Sequence, residues 1–177
     1  MSELTATLNQ SVENAAKKLL LHFKEQYGAL IFIPLGVNEN TTPAKIVPSV
    51  VPAFEQEMLF ITEGQINVLM KDDAVGKVFD SFMNAFFDSL NFIAKGIMNS
   101  LDLKMMWNEF KVSLANRKQN NPEGYTKRKT NLTLVIQGVF DEIVNDLKAQ
   151  GKNVVITNGT ENFGSIAEAI EKLEIFA

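Results

Sequence analysis

Apolar positions along this chain recur at two spacings, and the switches between them divide it into elements. From Ser2 to Tyr27, Leu4, Leu8, Val12, Ala15, Ala16, Leu19, Leu20 and Phe23 step by three and four. That spacing predicts an amphipathic helix, with Ser2 as N-cap, Glu3 in the first turn and Gly28 just past the end. Residues 29–35, ALIFIPL, are apolar and rich in branched and aromatic side chains. They predict a strand, with Pro34 at its exit. Residues 36–53 carry Pro43, Pro48 and Pro52 and show no regular period. A long loop or arm is expected there, with Ile46, Val47, Val50 and Val51 as apolar footholds. EMLFIT (57–62) and QINVLM (65–70) flank Glu63-Gly64, a two-residue connection ending in glycine that predicts a hairpin.

The widest apolar pattern follows, in a helix expected over 74–99 and capped by Asp72 or Asp73. Val75, Val78, Phe79, Phe82, Met83, Phe86, Leu90, Ile93 and Ile97 recur at helical spacing. At about 100° per residue they and the flanking Phe87, Phe92 and Met98 cover roughly two-thirds of the circumference. A helix lying on a single neighbour needs an apolar stripe only a little over about 100° wide. This helix is therefore either central, covered from two sides, or lends part of its face to another subunit.

A further helix is expected over 102–116, with Trp107 as a core anchor. RKQNNPEGYTKRK (117–129) reads as a polar, turn-rich loop. Within 130–150, LTLVI alone fits a strand. The longer window places Leu132, Val135, Ile136, Val139, Phe140, Ile143, Val144 and Leu147 at helical spacing, stopping at Gly151. A helix is expected there, with a strand start at 131–136 left open. A strand over 153–157, a tight loop over 158–164 and a last helix capped by Ser165 complete the chain. Strands and helices do not alternate regularly, which predicts an α+β fold. Its small mixed or antiparallel sheet, made of the hairpin 57–70 and strands near 29–35 and 153–157, packs against four to five helices around 74–99. The whole of 1–177 is expected to be a single domain.

Composition narrows the function classes more than it names one. The chain of 177 residues is 46% hydrophobic and 21% charged, which is ordinary for a globular domain. It has no cysteine, hence no disulfide framework, thiolate metal site or cysteine nucleophile. No apolar run is long enough to span a membrane, and no basic segment followed by an apolar core marks a secretory signal. A cytoplasmic or virion location is expected. The formal net charge of −4 argues against a dedicated nucleic-acid binder. Arg117, Lys118, Lys127, Arg128 and Lys129 nonetheless concentrate positive charge, including both arginines of the chain, and form a candidate patch for an anion or an acidic partner.

No constellation rises to a catalytic signature. His22, the single histidine, lies beside the apolar face of its helix with no sequence-local carboxylate or nucleophile partner. In 154–165 the spacing Gly159-x4-Gly164 echoes a phosphate-binding loop. However, no lysine follows Gly164, and Glu161 puts negative charge where phosphate would sit. An Asn-Gly turn followed by a helix cap is expected instead. The carboxylates Glu55 and Glu57, Asp72 and Asp73, and Asp141, Glu142 and Asp146 have no histidine or third ligand nearby. No catalytic residue, metal or cofactor is expected.

These readings point to a non-enzymatic structural or assembly protein, a subunit of a larger homo- or hetero-oligomeric complex, with a phage virion component as a candidate setting. Its partners would be copies of itself or other protein subunits. The candidate interface comprises Phe87, Phe92 and Met98 at the margins of the central helix, and Val47, Val50 and Val51 on the arm. The alternative is a small-molecule-binding domain or enzyme whose apolar pocket is lined by the central helix, with 36–53 as a lid.

Overall fold

A computed structural model of the chain describes residues 2–27, 46–94 and 103–174, with side chains over 4–22, 46–89 and 107–174. The expected strand at 29–35 and the first part of the expected arm lie outside them. Among the described residues, six helices and a four-stranded mixed sheet form an α+β fold. In chain order they are α1 (Ser2–Tyr27), α2 (Ile46–Glu57), β1 (Leu59–Thr62), β2 (Gln65–Leu69), α3 (Asp72–Ala94), α4 (Leu103–Asn120), α5 (Pro122–Ala149), β3 (Val154–Thr157), β4 (Asn162–Phe163) and α6 (Ile166–Glu171). The sheet order is β1-β2-β3-β4, and only β2 and β3 are parallel.

The first five helices pack in a ring: α1 lies on α2 and α5, α3 on α2 and α4, and α4 on α5. The stripe read on α1 is buried from Leu4 through Leu20, and faces the α5 stripe from Leu132 to Leu147, buried in its turn. The wide face of α3 is explained by two neighbours. Val75, Val78, Phe79, Phe82, Met83, Ala85 and Phe86 are all buried, because α2 covers one side of the helix and α4 the other. At about 1.5–3 kcal/mol for each large apolar side chain fully withdrawn from water, this helix dominates the core.

Two expectations are corrected, and one open choice is resolved. The segment 36–53 is not irregular throughout, because Ile46–Glu57 is helical. Pro48 sits in the first turn, where its missing N–H costs nothing. Pro52 forfeits one ladder bond. Burial of Ile46, Val50, Val51 and Phe54 outweighs that loss. The segment 117–129 is not a loop: α4 runs to Asn120 and α5 starts at Pro122. Asn121-Pro122 is a cap followed by a proline in the first turn, and the Asn121 side chain accepts a hydrogen bond from the Gly124 N–H at 3.1 Å. The open choice at 131–136 resolves as helix, continuous with the rest of α5.

The local stop and turn signals act as read. Gly64 takes φ 73° in the β1–β2 hairpin, and Thr62 pairs with Gln65 across it. Gly151, at φ 78°, closes α5, its N–H donating to the Lys148 carbonyl at 2.9 Å. Ser165 caps α6 by accepting from the Glu168 N–H at 3.2 Å. Gly138, inside α5, has open space where a Cβ would project. Gly138→Ala is therefore expected to raise unfolding stability by about 0.5–1 kcal/mol, read as a higher urea midpoint at unchanged slope.

Candidate interaction surfaces

The hairpin leaves β1 at the edge of the sheet: one side is bonded to β2, and among the described residues no strand pairs with the other. Register decides which groups face outward. Thr62 and Gln65 close the two-residue turn, so they form a hydrogen-bonded pair. Such pairs alternate, making Phe60–Asn67 the next, and the Leu69 N–H donating to the Met58 carbonyl at 2.6 Å continues the sequence. The backbone N–H and C=O of Leu59 and Ile61 therefore point away from β2, along the free edge. Phe60 is 43% exposed and Ile61 53%, on opposite faces of the same strand. Asn67, nearly buried, ties β1 in place by donating from Nδ2 to the Phe60 carbonyl at 3.2 Å and to Thr62 Oγ1 at 3.0 Å. No charge or proline lies within Leu59–Thr62, although natural edges use both to discourage pairing.

The residues singled out from sequence fall in several places. Val50 and Val51 are core side chains under the chain's own helices, and Val47 is half-buried beside them. Phe87 is half-buried at the margin of α3, its ring edge-on to Phe86 at 5.4 Å. The side chains of Phe92 and Met98 lie outside the described residues. Leu21, Val112 and Leu134 are exposed singly on helices, whereas Phe60 and Ile61 are exposed next to each other on β1, which the sequence marked as half of a hairpin. The apolar run EMLFIT before Glu63-Gly64 marked a strand, but which strand lies at the edge depends on the pairing of β2 with β3, nearly ninety residues away in the chain.

The five cationic residues do come together, at the tip where α4 turns into α5. Arg117 and Lys118 lie in the last turn of α4, and Lys127, Arg128 and Lys129 in the early turns of α5. Both arginines also have packing roles. The Arg128 guanidinium sits over the Phe110 ring at 5.6 Å, which fastens α5 to α4. Arg117 lies against the first turn of α5, its Nη1 2.7 Å from where a Cβ on Gly124 would be. Lys129 lies over Tyr125 at 5.7 Å, while Lys118 and Lys127 are exposed.

Trp107 is the core anchor expected. It is buried, edge-on to Phe79 at 5.8 Å, and its Nε1 donates to Asp80 at 2.9 Å. Lys111 reaches the same Asp80 oxygen at 2.5 Å, so one carboxylate on α3 holds two side chains of α4. His22 is exposed on α1.

The glycine-bearing loop after β3 uses its polar groups internally. Asn158 Oδ1 accepts from the Thr160 and Glu161 N–H groups, Thr157 Oγ1 accepts from the Gly159 N–H, and Glu168 accepts from the Gly164 N–H. Donors that would have to cradle a phosphate already have partners. Among the described residues no group of three or more His, Asp or Glu side chains could hold a metal ion. Nor is any helix there long and apolar enough to cross a membrane. Comparison of the chain with protein-family models, with curated proteins and with solved structures finds no match.

Proposed function

We propose that this chain is a non-enzymatic assembly subunit that joins other protein subunits, its own copies included, through the open edge of β1. The observation that carries this reading is Phe60 and Ile61, exposed on opposite faces of a strand whose outer N–H and C=O groups have no strand partner among the described residues. An added strand would satisfy those groups and cover both side chains in one step, as in other cases of strand addition. The wide face of α3, which first suggested an interface, is largely spent within the chain. The edge takes its place as the surface left to explain. A virion or other scaffold is the setting we favour for such a subunit.

Ile61→Lys places a charge on the edge at an exposed position, where the folded monomer tolerates it. Sedimentation velocity of the wild-type protein is expected to show species larger than the 19.7 kDa chain, growing with concentration. At about 1 M salt, where contacts between exposed charges are screened, the Ile61→Lys protein is expected to sediment as a monomer with an unchanged circular dichroism spectrum. Wild-type protein that stays monomeric at every concentration, and recovers no protein partner from its source, would remove this reading.

A further inference from the structure

A subunit with one self-complementary edge can form pairs; an extended assembly needs a second contact surface. The distribution of charge supplies one. At the α4–α5 tip, five cationic side chains face a single carboxylate, Glu123. None of the five makes an ion pair among the described residues. Helix α5 is about 42 Å long at 1.5 Å per residue; its other end leads through four residues into β3 and then the acidic segment, whose α6 packs on α5. There Glu161, Glu168, Glu171 and Glu174 are exposed, and Asp72 and Asp73 join them from the start of α3. Asp72 is tied to this group directly, accepting a hydrogen bond from the Glu174 N–H at 2.9 Å. Lys71, which lies over Gly159, and Lys172 are the cations set among these six carboxylates.

We propose that a second copy of this chain docks its acidic end, built from Asp73, Glu161, Glu171 and Glu174, onto the cationic tip of the first, head to tail. The proposal rests on the assembly reading and names both the partner and the polarity of the contact. Charge complementarity selects the occupant. The tip and the acidic end carry opposite excesses on one molecule, so each copy offers what its neighbour lacks. A nucleic acid suits the tip less well. The chain as a whole is negative, and both arginines are partly committed to packing, Arg128 on Phe110 and Arg117 on the first turn of α5. The contact is heterologous, since two different surfaces meet, so it closes into a ring or continues as a filament rather than stopping at two copies.

Two full-length variants and their mixture test this. Lys118→Glu with Lys127→Glu reverses the exposed part of the tip, and Glu161→Lys with Glu171→Lys reverses part of the acidic end. Neither pair includes Asp72 or Glu168, whose carboxylates accept hydrogen bonds from the backbone. Thermal unfolding by circular dichroism confirms that each variant is folded. In sedimentation velocity at about 10 mM salt, where the screening length is about 30 Å, each variant alone is expected to self-associate at least about tenfold more weakly than wild type, because like charges now meet. An equimolar mixture is expected to recover the association, since each variant then supplies the end the other needs. At about 1 M salt, where screening acts within about 3 Å, the wild-type contact is expected to disappear.

Wild-type association unchanged by salt and by both reversals would overturn the head-to-tail contact while leaving the β1 edge in place. Where association does depend on salt, Ile61→Lys separates the two surfaces, because it removes the edge and keeps the salt-dependent contact. Absence of association in every protein and at every salt would overturn this contact and the assembly reading together. Binding of a short DNA duplex, lost with Lys118→Glu and Lys127→Glu and accompanied by no self-association, would overturn the proposal in favour of a nucleic-acid partner.

Discussion

Phe82→Ala is expected to lower the unfolding free energy by about 3–5 kcal/mol, the largest effect of any single change considered for this chain. Phe82 is 1% exposed, at the centre of the α3 seam. Its ring lies parallel to Phe79 at 6.3 Å and to Phe86 at 6.4 Å, one helical turn to either side. Truncation removes the buried area of one ring and leaves a void between two others. Because α2 and α4 hold α3 from both sides, that void cannot collapse cheaply. Small domains commonly have about 5–15 kcal/mol of stability in total, so the variant is expected to sit near the edge of folding. Urea unfolding followed by far-ultraviolet circular dichroism measures it: the midpoint should fall steeply at a similar slope. A loss below about 1 kcal/mol would mean that the site is loosely packed.

Trp107→Ala is expected to cost a comparable amount, about 3–5 kcal/mol, for a partly different reason. The indole fills the α3–α4 junction, between Phe79 at 5.8 Å and Phe110 at 5.9 Å. Its N–H is also one of the bonds that hold Asp80, beside those from Lys111 and Asn84. Trp107→Phe keeps most of the ring and loses the bond. It is expected to cost only about 1–2 kcal/mol, since Lys111 and Asn84 still satisfy the carboxylate. Comparing the two variants in one denaturation series separates packing from hydrogen bonding. Equal losses would show that the Asp80 bond, rather than the ring, holds α4 to α3.

Most of the helical framework was legible because it rests on long stripes. The period in α1 and in α3 runs over many turns, and no local signal contradicts it. The stripe in the second half of α5 outweighed the strand-like LTLVI once the window was long enough. The turn chemistry was legible for the same kind of reason: Glu63-Gly64, Gly151 and Ser165 each act within a few residues. What was not legible depended on contacts distant in sequence. Prolines at 48 and 52 spoke locally against a helix, and only the burial of Val50, Val51 and Phe54 against α1 and α3 overrides them. The polarity of 117–129 resembled a loop because its helices turn polar faces outward near the tip. Asn121 and Pro122 are a capping pair there.

The interface was the least legible part. Apolar width on α3 was a reasonable sign of exposed surface, but a helix enclosed by two neighbours shows the same sign. The exposed pair Phe60 and Ile61 gave no such signal, since alternating residues in a hairpin are expected to be half-covered. Their exposure follows from the sheet order, in which β1 has no outer strand neighbour among the described residues. The cationic cluster at 117–129 was visible in composition. Its gathering at one tip follows from where α4 ends and α5 begins, not from the cluster itself.

The central claim is that the outer edge of β1 is where this chain meets its neighbours. Amide hydrogen exchange at Leu59 and Ile61 tests it most directly, because their N–H groups point away from β2 while those of Phe60 and Thr62 are already held in the ladder. In dilute protein the Leu59 and Ile61 amides are expected to exchange quickly and those of Phe60 and Thr62 slowly. In concentrated protein, or in the complex recovered from its source, Leu59 and Ile61 are expected to become as protected as their neighbours, and Ile61→Lys is expected to abolish that gain. Fast exchange at Leu59 and Ile61 in the assembled state, with no difference from the dilute protein, would contradict the claim.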